Sequence, residues 1–254
     1  MIEFLSQYGW IVLLFFIVAV LYSSVGFGGG SSYLAILAMT GIVFTQTRST
    51  SLLCNIVVVT GNVFLFYRAG LYHWKKVIPL ITLSVPLSFL GGYLRISQTF
   101  FFILLGFTLL FAAITMWVSK RIVNQTNPEE KINIKANAAY GGIIGFVSGM
   151  VGIGGGIFLA PLLHIANWDI PKKIAATASL FILVNSIGGL LGQYYNPDFY
   201  INWKLTSVLL VTVFIGGQIG SRLSNRFFSP IQLKRATAIL IAFVSIRILV
   251  KYLA

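Results

Sequence analysis

The stretch VGFGGG at residues 25–30 returns almost unchanged as VGIGGG at residues 151–156. Each copy ends one apolar segment and begins another, with no charged residue between the two segments. The second copy follows the first at an offset of 126 residues, and the Trp-Lys pair at residues 74–75 recurs at residues 203–204, an offset of 129. Anchors that recur in the same order at nearly constant spacing indicate that the chain is a duplicated unit.

The composition places this duplicated unit in a membrane. Hydrophobic residues make up 57% of the 254 residues, charged residues make up 9%, and the mean hydropathy is +0.91. A soluble domain carries about 25% charged residues, and about 20 apolar residues span a bilayer. We therefore predict an all-α fold, a polytopic transmembrane helix bundle. The predicted apolar segments are residues 8–25, 31–44, 52–67, 77–94, 99–118, 136–151, 157–166, 175–194, 203–223 and 231–253.

The net charge of +13 does not indicate a nucleic-acid-binding protein, because the Lys and Arg residues are spread over short loops between apolar segments. The single cysteine, Cys54, excludes an intramolecular disulfide and a multi-cysteine metal site. No catalytic constellation or nucleotide-binding loop is evident. We expect a protein that is not an enzyme, with no cofactor, no metal and no catalytic residues. Its expected partners are a lipid bilayer and a small anionic substrate, and the sequence leaves homo-oligomerisation open.

A polar linker at residues 119–135 separates a first transmembrane repeat, residues 1–118, from a second, residues 136–254. Each repeat contains five apolar segments, and this odd number predicts two inverted repeats. Thirteen Lys and Arg residues fall on one side and five on the other, so the positive-inside rule predicts a cytoplasmic linker and both termini outside, in the inner (plasma) membrane. The thirteen are Arg68, Lys75, Lys76, Lys120, Arg121, Lys131, Lys135, Lys172, Lys173, Arg222, Arg226, Lys234 and Arg235, and the five are Arg48, Arg95, Lys204, Arg247 and Lys251.

The two glycine turns are the most unusual feature of the sequence. The segment at residues 157–166 would reach only about 15 Å as a helix, so we predict broken or re-entrant helices that begin at membrane depth. The first amides of such a helix lack intrahelical partners and lie at the positive end of its dipole. Two facing turns would then form an anion site made of backbone. The alternative is tight helix packing, for which Gly141, Gly145 and Gly149 already form a four-spaced stripe.

Uncharged polar residues inside the apolar segments could complete such an anion site. Each also has a structural interpretation, because Ser and Thr bond back to their own helix and Asn joins helices. Two arginines at segment ends could attract anions or extend their side chains to the interface. The predicted substrate-binding residues are Gly28, Gly29, Gly30, Ser31, Ser32, Asn55, Gly154, Gly155, Gly156, Thr177, Ser179 and Asn185, and the anion-attracting arginines are Arg48 and Arg222.

Four stretches resemble the sulfite exporter TauE/SafE family: SVGFGGG at residues 24–30, GMVGIGGG at 149–156, ATASL at 176–180 and GGQIGSRL at 216–223. The resemblance covers nearly the whole chain. It implies export or uptake of small sulfur-containing anions, such as sulfite or an organosulfonate, across a bacterial or archaeal inner membrane.

The combined interpretation is a secondary transporter, an exporter of such anions, that works by alternating access between its repeats. All five acidic residues fall at a terminus or in loops, so no proton relay is evident. A channel-like anion facilitator and a non-transporting membrane subunit remain alternatives. Two opposed helix N-termini supply about one positive charge together, which would balance a monoanion and leave a dianion uncompensated. The sequence therefore predicts a preference for bisulfite or a monosulfonate over sulfate.

Overall fold

The computed structural model describes residues 2–118, 134–166, 168–222 and 230–253. Every regular element in these ranges is a helix, and helices follow the apolar segments that the sequence predicts. They are α1 (Ile2–Ser24), α2 (Gly30–Ala38), α3 (Phe44–Arg68), α4 (Trp74–Tyr93), α5 (Gln98–Val118), α6 (Ile134–Val151), α7 (Gly156–Ile165), α8 (Pro171–Tyr194), α9 (Trp203–Arg222) and α10 (Pro230–Leu253).

Five helices of the described chain, α3, α4, α5, α8 and α9, are long and apolar enough to cross a membrane. The fold is therefore the predicted all-α transmembrane bundle. The predicted linker, residues 119–135, lies outside the described residues except for its last two, which begin α6. The loop positions assigned to Lys120, Arg121, Lys131 and Arg226, and the side chains of Lys234 and Arg235, also lie outside them.

The third helix begins eight residues earlier than predicted, at Phe44 instead of residue 52. The polar run at residues 45–51 resembles a loop in sequence, but six of its residues are buried against other helices, Gln46 through Ser51. Arg48, which the charge pattern placed in an outer loop, consequently lies inside α3 and is only 3% exposed. The loop position predicted for it is wrong, because α3 begins four residues before Arg48 and neighbouring helices cover its first turns.

The two halves are interlaced, because the long helices find their main partners in the other half, whereas the short helices α2 and α7 pack mainly on α3 and α8 of their own halves. The most extensive contacts join α4 to α6, α1 to α9, α4 to α8 and α5 to α10, and α3 also packs on α8 and α9. Exchanging each helix with its counterpart five places along reproduces the same set of pairs. This pairing is the one that a duplicated unit with internal two-fold symmetry would have.

The relative directions of the paired helices also follow from the contacts. Helices α3 and α8 run antiparallel: Ser49 near the start of α3 bonds Gln193 near the end of α8. Helices α5 and α10 are antiparallel too, since Phe102 stacks on Tyr252. These antiparallel directions are compatible with the predicted inverted repeats, and the inversion itself stays a prediction. The orientation of the repeats with respect to a bilayer stays a prediction.

Glycine stripes set the close approach of the outer helix pairs. A methyl group on Gly141, Gly145 or Gly149 of α6 would overlap the backbone of Leu80, Ser84 or Ser88 of α4, respectively. The predicted packing stripe is thus present. On the opposite side, Gly216 and Gly220 of α9 meet the backbone of Phe16 and Val20 of α1 in the same way. Small residues at such contacts let helix backbones pack closely in a membrane, where apolar surfaces gain little by associating.

Candidate functional site

The two glycine turns share a left-handed backbone at two matched positions and differ at a third, where Gly154 has a φ angle of 81° and its counterpart Gly28 has no positive φ. Gly26 and its counterpart Gly152 have φ angles of 87° and 86°, and Gly29 and Gly155 both have φ of 83°. L-residues with side chains rarely adopt this left-handed conformation, whereas glycine adopts it without steric cost. The duplication seen in the sequence is therefore also a duplication of two adjacent sharp turns.

Each turn ends in the N-cap of a short helix. Gly29 caps α2 and Gly155 caps α7, and neither contributes a side-chain hydrogen bond to the first helical turn. The first amides of both helices consequently have no partner from within the helix or from a cap side chain. They lie at the positive ends of two helix dipoles, where negative charge is stabilised.

Asn55, in the middle of α3, holds the two turns together. Its Nδ2 donates to the carbonyl of Ile153 in the second turn at 2.8 Å. The same side chain lies so close to the first turn that a Cβ on Gly28 or Gly30 would overlap it. Glycine at both positions is required by this contact, and the predicted meeting of the two turns is present in the structure.

A small pocket lies between the turns. Its polar lining comes from the predicted residues Ser31 and Asn55 and from the main chain of the glycines, and its apolar lining comes mainly from isoleucines. The remaining space holds about one water molecule, so the pocket is too small in this conformation for a sulfur oxyanion. Its full lining is Tyr22, Phe27, Gly28, Gly29, Gly30, Ser31, Asn55, Ile153, Gly156, Ile157 and Ile182.

Ser186 of α8 is a site residue that sequence reasoning missed. Its Oγ would lie 2.6 Å from a Cβ on Gly154, and Nδ2 of Asn55 would lie 3.0 Å from the same atom. Oγ of Ser186 and Oδ1 of Asn55 are buried and have no hydrogen-bond partner in the protein. Buried polar atoms are nearly always satisfied, so these two orphans beside the pocket are suited to a bound ligand or water.

The other predicted residues of the first half lie at or behind the pocket. Ser32 is fully buried and shares a 2.9 Å hydrogen bond with the hydroxyl of Tyr22, which lines the pocket. A Cβ on Gly29 would point at Val18 and Tyr33, and one on Gly155 would point at Phe181. A side chain at either of these two cap positions would therefore point into the packed core. Their main chains form the turns.

The predicted polar residues of α8 separate into three environments. The hydroxyl of Ser179 donates to the carbonyl of Gly26 and so fixes the first turn to the second half. Thr177 is buried, and its hydroxyl has no partner in the protein. Asn185 is turned towards α4, where its Nδ2 donates to Ser84 at 3.1 Å and to the carbonyl of Phe181 at 2.8 Å. Asn185 therefore joins helices and does not line the pocket.

The two predicted arginines differ sharply in burial. Arg222 ends α9 and is exposed, which suits an interfacial side chain. Arg48 is buried, and its Nη2 approaches the carbonyls of Gly149 and Gly92 at 3.4 and 3.5 Å. These carbonyls lie near the C-terminal ends of α6 and α4, where a cation is favourably placed. Seven residues separate Arg48 from Asn55, about 10 Å along α3.

The geometry is that of a small pocket between two glycine turns in a duplicated helical bundle. The profile described as "Sulfite exporter TauE/SafE" matches residues 11–248. The chain belongs to this family.

A Sinorhizobium fredii protein named as a probable membrane transporter is 31% identical over 246 residues, covering 94% of this chain and 97% of the relative. A relative in Methanocaldococcus jannaschii with the same type of name is 28% identical and covers 91% of each chain. No solved structure matches the chain significantly. The TauE/SafE family assignment makes this chain a multi-pass membrane transporter.

Proposed function

We propose that this TauE/SafE protein exports small, singly charged sulfur oxyanions, bisulfite or an organosulfonate, across the inner membrane. The observation that carries the proposal is the pair of uncapped helix N-termini, those of α2 and α7, which meet at one small pocket. Among the described residues, no charged side chain lines this pocket. The groups that can donate to an oxyanion are the backbone amides, the hydroxyls of Ser31 and Ser186, and the second N–H of Asn55 Nδ2, because Oδ1 of Asn55 only accepts hydrogen bonds.

The electrostatics favour one negative charge. Two helix N-termini provide about half a positive charge each, which balances a monoanion. Arg48, about 10 Å away along α3, adds an attraction on the order of 1–2 kcal/mol at an effective dielectric constant of about 20. A dianion would remain undercompensated in a medium where a buried charge costs several kcal/mol.

The interlaced pairing supports alternating access between the repeats. The pocket lies between two antiparallel central helices, α3 and α8, that are exchanged by the internal two-fold relation. Rocking of one repeat against the other would expose the pocket first to one side and then to the other. The pocket has room for about one water molecule and must rearrange to admit an oxyanion, which favours such a carrier over the channel-like facilitator with its continuous open path.

The direct test is flux into liposomes that contain only this chain. We expect uptake of radiolabelled sulfite and methanesulfonate, and stimulation when the same anion is present on the opposite side of the bilayer. Such trans-stimulation is characteristic of a carrier, whereas a facilitator shows simple downhill flux. Absence of flux for every anion, from protein that is folded by size-exclusion chromatography, would leave the non-transporting subunit as the better interpretation.

A further inference from the structure

A second polar cleft lies where α3 begins and where α4 and α8 end. It is separate from the glycine pocket and shares no lining residue with it. The cleft is open at the surface, and its polar lining consists of Thr45, Arg48, Ser49, Arg95, Gln193, Asn196 and Asp198.

The guanidinium of Arg48 is the unusual group in this cleft. It is almost completely buried, its two contacts to carbonyls are long, and its Nε has no hydrogen-bond partner. Asp198, the one acidic residue of the lining, is exposed and forms no ion pair with Arg48, and the ion pairs seen in the described residues involve Asp169 alone. A buried charge without a counter-ion is costly, so this side chain is prepared for an anion.

Gln193 adds a second unused donor. The hydroxyl of Ser49 donates to Oε1 of Gln193 at 2.8 Å, which directs Nε2 of the same amide elsewhere. Nε2 has no partner, and the residue is buried. Nε of Arg48 and Nε2 of Gln193 can only donate hydrogen bonds. Two unpaired buried donors, one of them cationic, are complementary to an oxyanion.

Two polar faces connect this cleft to the glycine pocket. Arg48, Asn55 and Asn62 follow one another at seven-residue intervals on α3, so they lie on the same side of the helix. Each is buried and carries one side-chain atom without a partner. Seven residues of helix measure about 10 Å, so the stripe extends about 21 Å through the bundle.

The facing helix carries the matching residues at the same spacing: Ser179, Ser186 and Gln193. Helix α8 runs antiparallel to α3, so the two sets of residues pair in reverse order. Gln193 lies at the height of Arg48, because it bonds the neighbouring Ser49. Ser186 lies at the height of Asn55, because both side chains are close to Gly154. The cleft and the pocket are therefore two polar levels of the interface between the central helices, and the buried side chain of Leu52, near Gly189, lies between them.

We propose that the Arg48–Gln193 cleft is a second anion-binding station, which holds a small oxyanion on its way to or from the glycine pocket. The proposal rests on the proposed function, because it extends the route of the same substrate. The station takes monovalent oxyanions through the guanidinium and the Gln193 amide. It differs from the glycine pocket in using a full charge.

A thiol placed in the cleft tests the station without any transport measurement. Thr45 lines the cleft, lies one helical turn before Ser49 and is half-buried, and Cys54 is the chain's natural cysteine. In the Cys54→Ser background, purified Thr45→Cys protein in detergent is labelled with anionic sulfonatoethyl or cationic trimethylammonioethyl methanethiosulfonate. We expect Arg48 to favour the anionic reagent, and Arg48→Gln to lower the anionic-to-cationic rate ratio about tenfold. Methanesulfonate should slow labelling of the parent protein.

Further variants separate anion binding from the contact of Arg48 with the ends of α4 and α6. Arg48→Lys should retain the preference for the anionic reagent. Gln193→Glu keeps Arg48 in place but supplies a local carboxylate, so it should abolish both the preference and the protection by methanesulfonate. This variant remains informative if Arg48→Gln fails to fold. Ser97→Cys, exposed at the start of α5, is the control site, and its rate ratio should not respond to Gln193→Glu.

An unchanged rate ratio in Arg48→Gln or Gln193→Glu, or labelling that methanesulfonate does not slow, overturns the station. Protection by phosphatidylglycerol in the micelle, without protection by methanesulfonate, overturns it in favour of a lipid headgroup. Failure of flux with a positive labelling result would count against the transport function alone, so the two proposals can fail separately.

Discussion

The side-chain amide of Asn55 donates to the main-chain carbonyl of Ile153 at 2.8 Å, and this bond ties the middle of α3 to the second glycine turn. The donor belongs to the first half of the chain and the acceptor to the second. The contact therefore joins the two halves of the chain at the pocket. Any movement that opens the pocket between the halves must break or rearrange this bond.

Asn55→Ala should impair transport, whereas Asn185→Ala should impair stability. Removal of the Asn55 amide deletes one hydrogen-bonding group of the pocket, and such a bond to an anion is worth about 1.5–3 kcal/mol, so we expect KM to rise about tenfold or more. Asn185 bonds Ser84 between α8 and α4, so its loss should lower the melting temperature and leave KM unchanged. Flux assays and thermal unfolding of both variants check this contrast. Equal KM values in the two variants would contradict it.

Gly28→Ala should abolish most transport without straining the backbone. The φ angle of Gly28 is not among the positive ones, yet a Cβ there would overlap the side chain of Asn55. Gly9→Ala is the matched control, because a Cβ at Gly9 meets no atom within 4 Å. Substituting Gly29 or Gly155 by leucine is a less specific experiment, since both have positive φ and face the packed core. Parent-level flux in folded Gly28→Ala protein would argue against the pocket.

Transport should depend on the charge of the substrate. We expect methanesulfonate to be carried better than sulfate at neutral pH, because the two helix N-termini balance about one charge. Sulfite flux should fall as the pH rises from mildly acidic to mildly alkaline, since bisulfite loses its proton and becomes a dianion. Methanesulfonate flux should stay constant over the same range. Sulfate carried as well as methanesulfonate would mean that Arg48, or another full charge, contacts the substrate in the pocket.

Both termini should lie outside, and the linker at residues 119–135 should lie in the cytoplasm. The reason is the unequal distribution of Lys and Arg between the two sides. Reporter fusions after Ala254 and within the linker, each active on only one side of the membrane, measure this orientation. A reporter after Ala254 that works only in the cytoplasm would refute the topology.

The glycine turns could be predicted because their backbone conformation requires glycine, which is visible in the sequence. Only glycine readily takes the left-handed conformation found at Gly26, Gly29, Gly152 and Gly155. Their repetition at matching positions survives divergence of the surrounding sequence. The meeting of the two turns follows from the duplication, so the sequence was sufficient to predict it.

The sequence could not predict which side of α8 faces the pocket. This rotation of the helix determines whether Asn185 or Ser186 lies at the site. The two residues are adjacent in sequence, yet about 100° apart around the helix, and only Ser186 lies beside the glycine turn. Buried polar residues occur on more than one side of α8, with Ser179 and Ser186 on one side and Asn185 on another, so the sequence does not tell which side faces the pocket. Arg48 was misplaced for a related reason, because a polar run that is buried by neighbouring helices has the composition of a loop.

The pairing of α1 with α9 and of α4 with α6 has a consequence for synthesis of the chain. Until the second half emerges, α1 and α4 of the first half lack the surfaces on which they pack. The nascent first half must therefore wait in the bilayer as an incomplete bundle, exposed to quality-control proteases. An ancestral unit of half this length would have met the same requirement by inserting in both orientations and assembling as an antiparallel dimer.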